Sequence, residues 1–227
     1  MAGIKVVGLG PGRFGLITLE AWEAMKGAGH LLLRTAVHPT VGDIKARGIT
    51  ADSYDEFYEN AGDFESLYQR IAEDLIHRAQ AGEDIVYAVP GSPLVAERTV
   101  VLLREMAKEA KVALEILPGM SFLDIMYARL CMDPVEGLAI VDASDLDSLV
   151  HCSDFPLLVT QVYGRHVASD AKIMLLELLP DEYEIIYAHN LALPDESIRR
   201  IPLFELDRQP DLDHLTSLFI PRYIESA

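Results

Sequence analysis

Short apolar runs alternate with longer amphipathic stretches through the first half of the chain. Each run holds five or six residues and ends at a turn residue, which is typical of a buried strand. The predicted strands are Ile4–Gly8, His30–Arg34, Ile85–Val89 and Val112–Leu117, and the predicted helices are Thr18–Lys26, Asp63–Ala81 and Val95–Ala110. Strands that alternate with helices of this length indicate a mainly parallel sheet.

Local signals mark several element ends. Thr18 is a predicted N-cap, with Glu20 favourable in the first turn behind it. Gly82 is the predicted C-cap of the long helix, whose apolar face repeats at helical spacing. The polar, Tyr-rich stretch Asp52–Asn60 is predicted to be a loop with short turns.

The pattern changes after residue 118. A helix is predicted over Gly119–Met132 and another over Lys172–Leu179, and strands are predicted over Leu138–Val141, Leu157–Gln161 and Tyr183–Ala188. The tail segments Ser197–Glu205 and Leu215–Ile220 alternate in polarity, which favours antiparallel strands or a hairpin edge. We therefore expect two domains, residues 1–117 and 118–227, with a boundary near Pro118.

Composition is that of an ordinary globular protein, with 50% hydrophobic and 24% charged residues. The formal net charge of −17 repels nucleic acid, anionic membranes and polycarboxylate substrates at long range, although a local basic pocket could override it. The beginning lacks a signal-peptide pattern, and no apolar run approaches the roughly 18 residues of a membrane span. We expect a cytoplasmic protein without nucleic-acid or membrane partners.

Cysteine and histidine carry no metal pattern. Cys131 and Cys152 lie outside any CxxC or Cys/His spacing, so we expect core or surface thiols in a reduced compartment and no metal site. His38 before Pro39 is expected to be a loop histidine with an ordinary hydrogen bond rather than a substrate-facing base. Glu97 and Arg98, which open a predicted helix, could form an ion pair or contact a substrate, and we favour the ion pair.

A glycine-rich loop, Gly8-Leu9-Gly10-Pro11-Gly12, follows the first predicted strand. Such loops let the backbone approach a ligand at the carboxyl end of a strand. Gly10–Gly15 matches GxGxxG, but Pro11 lacks the N–H that a pyrophosphate would need. Arg34 could meet a 2′-phosphate, so an NAD(P) oxidoreductase stays an alternative. A P-loop is excluded, because Leu16-Ile17 stand where Lys and Ser/Thr are required.

Several motifs, in order along the chain, resemble the tetrapyrrole methylase family. Gly8–Gly12 with Leu16–Ala21 is similar to the opening signature GxGPGxxxLLTLxA. Val89–Leu94 resembles the family's strand-end GDP loop, and Leu117–Phe122 resembles its PGxSS loop. Leu193–Glu196 falls where members carry a similar late turn. The order and separations fit along nearly the whole chain, so the resemblance is more specific than one glycine motif.

The resemblance implies a two-domain α/β fold with a mainly parallel sheet in the N-terminal half and a mixed sheet in the C-terminal half. It implies S-adenosylmethionine bound in a cleft between the domains, a small-molecule acceptor and a homodimer. The positions that match cofactor contacts in the family are Leu9, Gly10, Pro11, Gly91, Ser92, Val95, Ser121, Phe122, Gln161 and Ala188. Ser92 stands where the family's GDP loop carries an acidic residue, which is expected to change cofactor affinity.

One branch of the family is similar in further detail. Leu33–Thr35, His38-Pro39 and Pro90–Glu97 resemble the methylase-like domain that is fused to MazG-type nucleotide pyrophosphatases. Two functions therefore lead: an S-adenosylmethionine-dependent methyltransferase of unknown acceptor, and a non-catalytic module that senses the cofactor or a nucleotide for a fused pyrophosphatase. Methyl transfer chiefly requires alignment of the reactants, so no catalytic residue is assigned.

Overall fold

The computed structural model describes residues 3–59 and 62–223. It divides into two compact units, Met1–Ile125 and Met126–Ala227, with the division inside a helix. The domain boundary predicted near Pro118 stays a prediction. Within the described part of the chain, no helix is long and apolar enough to cross a bilayer.

The first unit is built on a five-stranded parallel sheet, which confirms the predicted fold class for this half. The strands are β1 (Gly3–Gly8), β2 (His30–Leu33), β3 (Asp52–Ser53), β4 (Asp84–Val89) and β5 (Ala113–Ile116), in the order β3-β2-β4-β1-β5. Every neighbouring pair is parallel, so all five carboxyl ends lie along one edge of the sheet.

Helices cover both faces of this sheet. They are α1 (Leu19–Lys26), α2 (Pro39–Ala46), α3 (Asp55–Glu59), α4 (Phe64–Gln80) and α5 (Arg98–Ala110). Because alternate side chains of a strand point to opposite faces, Val6 and Tyr87 pack with α4 and α5, whereas Val7 and Ala88 pack with α1 and α2. Burial on both faces explains the nearly continuous apolar runs of the strands.

Capping residues start two of these helices, and the cap at Thr18 confirms the prediction. The hydroxyl of Thr18 accepts a 3.2 Å hydrogen bond from the amide of Ala21, and Asp63 accepts one of 2.9 Å from Ser66. At the end of α4 the C-cap is Ala81, and Gly82 follows it with φ +101°. The C-cap is thus one residue earlier than the predicted Gly82.

The region between β2 and α4 differs from prediction. Residues 52–59 form β3 and α3 instead of a loop, and α2 was not predicted at all; Asn60 lies outside the described residues. Helix α5 begins at Arg98 and not at Val95, because Ala96 has φ +52°, a left-handed conformation that no helix continues through.

The second unit carries a mixed five-stranded sheet, as predicted. Its strands are β6 (Ala139–Asp142), β7 (Leu157–Thr160), β8 (Glu184–His189), β9 (Ser197–Pro202) and β10 (Thr216–Ile220), in the order β6-β7-β10-β8-β9. The pair β6·β7 is parallel, and the other three pairs are antiparallel. The last strand therefore lies between β7 and β8, and the tail segments do not pair as a hairpin.

Two helices belong to this half of the chain. Helix α6 (Phe122–Leu130) contains the division between the units and is shorter than the predicted Gly119–Met132. Helix α7 (Arg165–Leu176) begins and ends earlier than the predicted Lys172–Leu179. One face of α7 packs with Leu157, Tyr187 and Leu218 of the sheet. Cys152 is buried in the same core, Cys131 is exposed, and both are free thiols.

The end of α5 offers a test of backbone strain. Lys111 has φ +56°, a left-handed conformation that costs a residue with a Cβ roughly 1 kcal/mol. We predict that Lys111→Gly raises the free energy of unfolding by about 1 kcal/mol, measured by urea denaturation. Lys108→Gly, inside the same helix, is the matched control and should lower it by about 1 kcal/mol. Equal losses for both variants would contradict the prediction.

Candidate functional site

Loops from three parallel strands meet at the carboxyl edge of the first sheet. The loop after β1 and the loop after β4 are joined by a two-way backbone contact: the amide of Gly10 donates to the carbonyl of Gly91 at 3.1 Å, and the amide of Gly91 donates back at 2.9 Å. Both glycines have positive φ, +73° and +64°, which side chains rarely permit. The predicted glycine motifs are thus brought together.

Two further glycines allow the loops to approach closely. A Cβ on Gly8 would lie 2.3 Å from the carbonyl oxygen of Gly91, and a Cβ on Gly119 would lie 3.0 Å from Pro93 and 3.4 Å from the Cα of Gly8. The loops after β1, β4 and β5 therefore pack backbone against backbone.

Open space lies in front of the loop after β4. A Cβ built on Gly91 meets no atom within 4 Å, so this glycine faces free volume although its backbone is fixed. Ser92 beside it is 8% exposed, and its hydroxyl accepts only a long, 3.5 Å hydrogen bond from the amide of Leu94. This hydroxyl is the nearest side-chain group of the loop with capacity for a ligand.

The other predicted residues of the first unit differ in what they can offer. The side chain of Leu9 is fully buried in the core, so only its backbone could contact a ligand. The donors of Ser121 already have a partner nearby in the chain, since its amide and hydroxyl both donate to Asp124, at 2.7 and 3.0 Å. The remaining three, Pro11, Val95 and Phe122, are partly exposed at the same edge.

The strand order is incompatible with a dinucleotide-binding fold. In that fold β1 lies between β2 and β4, whereas here β4 separates β2 from β1. A 3₁₀ turn, Phe14–Leu16, also comes between the glycine loop and the start of α1 at Leu19, so the loop does not lead directly into the helix. The alternative of an NAD(P) oxidoreductase is therefore wrong.

A buried ion pair lies beside the glycine loops. Arg34, directly after β2, bonds to Glu97, directly before α5, at 3.1 Å; their side chains are 23% and 3% exposed. Burial raises the pKa of Glu97, and Arg34 opposes that rise. Arg98 pairs instead with Glu65 at 2.6 Å on the surface. The expected ion pairs of Glu97 and Arg98 are confirmed.

Three tyrosines and a threonine surround this pair. We call this group the Arg34 cluster, and its members are Arg34, Tyr58, Tyr68, Tyr87, Glu97 and Thr99. Burial raises the pKa of Tyr58 to about 12, with Arg34 opposing, so the phenol is a neutral donor. Sequence reasoning missed the cluster, because no local pattern in the chain relates Arg34 to Glu97.

His38 connects the loop after β2 to the glycine loop. Its Nδ1 accepts from the amide of Thr40 at 3.4 Å and lies 2.8 Å from the Thr40 hydroxyl, so it caps α2. Burial lowers its pKa to about 4, while a hydrogen bond to the backbone of Gly10 opposes this and Arg34 adds to it. His38 is neutral at neutral pH, and the expectation of a hydrogen-bonded loop histidine is confirmed.

In the second unit, Gln161 follows β7 and Ala188 is the penultimate residue of β8. Both strands run antiparallel to β10, so their carboxyl ends share one edge of the mixed sheet. Gln161 is partly exposed with φ +61°, and Ala188 is fully buried. Only the glutamine side chain could therefore reach a ligand through polar atoms.

The end of β8 also holds a charged network. His189 lies 3.1 Å from Asp213 and 3.5 Å from Asp211, and Arg199 bonds to Asp211 at 2.7 Å. The guanidinium of Arg199 stacks 4.5 Å from the ring centre of Tyr187. These bonds give the network a structural role at this edge. Within residues 3–59 and 62–223, no group of three or more His, Cys, Asp or Glu side chains could hold a metal ion.

Residues 3–207 match the model of the family described as Tetrapyrrole (Corrin/Porphyrin) Methylases. The chain belongs to this family. The match contains both glycine loops and most of the second unit, so family membership extends to both halves.

A relative and two solved structures add detail. "Uncharacterized protein YabN" of Bacillus subtilis (strain 168) is 40% identical over 97% of this chain, which spans 45% of that protein's length. The crystal structure of the methyltransferase CobJ superposes with a TM-score of 0.76 at 19% identity, covering 98% of this chain and 95% of that one. Uroporphyrin-III C-methyl transferase from Thermus thermophilus, complexed with S-adenyl homocysteine, gives 0.67 at 18% identity, covering 96% and 92%. At these identities the two structures show the fold alone.

The close approach of the loops can be tested at Gly8. A side chain there would collide with the backbone carbonyl of Gly91, so we predict that Gly8→Ala lowers the free energy of unfolding by roughly 2 kcal/mol or more. Gly42→Ala is the control, because a Cβ there meets no atom within 4 Å inside α2. It should raise stability by roughly 0.5–1 kcal/mol in the same chemical denaturation. A neutral Gly8→Ala would refute the packing.

The depressed pKa of His38 predicts a pH dependence of stability. Below pH 6.5 the unfolded chain binds a proton that the folded chain, with a pKa of about 4, does not. The free energy of unfolding should therefore fall by roughly 3 kcal/mol between pH 6.5 and 4 because of this residue. His38→Asn, which keeps a capping acceptor, should lose that component. Measurement at pH 8 gives the pH-independent cost of the substitution, and parallel profiles would contradict the assignment.

Proposed function

We propose that this chain binds S-adenosylmethionine and transfers its methyl group to a small-molecule acceptor. The observation that carries the proposal is the bridge between Gly10 and Gly91, which holds two glycine loops together at the carboxyl edge of a parallel sheet with open space before Gly91. Membership of a methylase family and the likeness to a methyltransferase complexed with S-adenyl homocysteine support it.

The groups present at this edge fit the cofactor. Its amino acid and ribose need hydrogen-bonding groups, which the loop backbone and the Ser92 hydroxyl offer. Its sulfonium and ammonium outweigh its carboxylate, so it is a cation that a chain of net charge −17 attracts at long range. A serine in place of the family's acidic residue binds by hydrogen bonding alone, and the overall charge offsets part of that loss.

The proposed contacts follow from these environments. In the first unit they are the backbone of Leu9, Gly10 and Gly91, the hydroxyl of Ser92, and the apolar surfaces of Pro11, Val95 and Phe122, with Ser121 supporting its loop. Gln161 and Ala188 of the second unit stay predictions from the family resemblance. When bound, the cofactor supplies a methyl group already activated by the sulfonium. The chain's task is to align the acceptor with that methyl group and to exclude water.

Calorimetric titration with S-adenosylmethionine and S-adenosylhomocysteine tests the proposal, and we expect binding in the micromolar range. Gly91→Leu projects a side chain into the open space and should abolish the heat of binding. Gly48→Leu is the matched control, because this glycine also has positive φ, +81°, and no atom within 4 Å of its Cβ position. It should carry similar strain and keep the cofactor. Unchanged binding by Gly91→Leu would show that the site lies elsewhere.

A second function is favoured by one observation. The chain spans 45% of the length of its relative from Bacillus subtilis, so that protein contains a large further part. In the MazG-fused branch proposed from the sequence, the methylase-like part would sense the cofactor for a pyrophosphatase. Conversion of bound S-adenosylmethionine to S-adenosylhomocysteine in the presence of cell metabolites supports the enzyme; tight binding without conversion supports the sensor. A homodimer and a cytoplasmic location remain proposals, the first testable by light scattering.

A further inference from the structure

The Arg34 cluster contains buried polar atoms that no protein group satisfies. They are Arg34 Nε, Tyr87 OH, Glu97 Oε1 and Thr99 Oγ1, each without a hydrogen-bond partner. The Thr99 hydroxyl is close enough to help lower the pKa values of both Glu97 and Tyr87, but it lies outside hydrogen-bonding geometry with either side chain. Each such group left unpaired costs a folded protein roughly 1–3 kcal/mol. Four in one place require an explanation other than packing.

The balance of donors and acceptors indicates the missing partner. The cluster offers a guanidinium, which only donates, and four hydroxyls, which both donate and accept, against the single carboxylate of Glu97. The nearby carboxylate of Asp55 is already occupied, since it accepts from the amide of Ala36 and the hydroxyl of Ser53, both at 2.8 Å. The unpaired Nε of Arg34 is complementary to a group that accepts hydrogen bonds, such as a carboxylate or a phosphate, whereas the unpaired Oε1 of Glu97 is an acceptor that such a group does not satisfy.

The geometry leaves one side of the arginine available. Glu97 is almost fully buried and bonds to the guanidinium at 3.1 Å, whereas the side chain of Arg34 is 23% exposed. Tyr58 and Tyr68 are half-buried, and Arg34 acts on both of their pKa values. A planar guanidinium held in this way is preorganised to bind an oxyanion through two parallel N–H groups.

The cluster adjoins the loops to which we assign the cofactor. The amide of Arg34 donates to the carbonyl of Ala88, in β4, at 2.9 Å. His38, four residues later, bonds to the backbone of Gly10. A ligand group bound at Arg34 would therefore lie beside the loops after β1 and β4, at the same sheet edge.

We propose that Arg34 binds one carboxylate or phosphate group of the methyl acceptor, with Glu97 as the positioning residue that holds the guanidinium in place. This inference rests on the proposed function only for the identity of the ligand as acceptor; the anion site itself does not require it. The cluster supplies one cation, and the chain as a whole carries −17, so the site fits a single anionic group and not a polyanion.

The test titrates the whole chain with inorganic phosphate and, separately, with malonate, by calorimetry and by thermal unfolding. We expect the wild-type chain to bind at least one probe at millimolar concentration, and the preferred probe identifies the anion class. Arg34→Gln should weaken that binding roughly tenfold or more, and Arg34→Lys, which lacks the planar fork, should give a smaller loss. Arg98→Gln removes another glutamate-paired arginine and should leave it unchanged.

Glu97→Gln separates a positioning role from a merely structural one. The amide keeps an acceptor on the guanidinium but removes the competing negative charge, so the anion should bind about threefold more tightly or better. If Glu97 served only as a counter-ion for folding, the substitution would lower the melting temperature without this gain in anion binding. This variant also keeps the proposal testable if Arg34→Gln fails to fold.

The outcomes separate the anion site from the cofactor site. Anion binding that is lost in Arg34→Gln while S-adenosylmethionine binds as in wild type supports the inference. If neither probe binds the wild-type chain, or Arg34→Gln binds as wild type does, the unpartnered atoms hold only water and the inference fails. If anions bind at Arg34 but S-adenosylmethionine does not bind at all, the proposed function fails and the anion site stands.

Discussion

The distance of closest approach between Gly8 and the carbonyl of Gly91 determines how the first unit presents its sheet edge. With 2.3 Å available for a Cβ, only hydrogen fits at position 8, and Gly119 repeats the condition on the other side. Three loops can then pack as bare backbone and leave space in front of Gly91. The site is built from peptide groups more than from side chains, so its binding groups are fixed by the fold itself.

The loops and the Arg34 cluster contribute different chemical groups to one sheet edge. Parallel strands bring all carboxyl ends together, and the loops after β1 and β4 provide an uncharged surface. The loop after β2 and the start of α5 add the charged pair, which a low-dielectric surrounding makes strong but costly. A surface of bare backbone suits a cofactor common to a family, whereas side chains such as Arg34 can vary with the acceptor.

What could be predicted from the sequence was local. Thr18 could be predicted as an N-cap because a cap and its first turn are adjacent in the chain, and the glycine loops were recognised for the same reason. Helix α2 was missed, since its cap is an unusual histidine with proline behind it. Nothing within a few residues of Arg34 points to Glu97 or Thr99, which only the parallel pairing of β2 with β4 brings near. The place of β10 between β7 and β8 likewise could not be predicted from the local sequence pattern.

The place of β10 in the second sheet sets the order in which the two sheets can be completed. The first sheet contains only residues up to 116, so all of its strands are synthesised before any strand of the second sheet. In the second sheet, β7 and β8 have no hydrogen bonds to each other and both pair with β10, the last strand of that sheet to be synthesised. Until residues 216–220 emerge, two apolar strands present open edges to the crowded cell. During translation, the second sheet is therefore the one that exposes unpaired strand edges for longer.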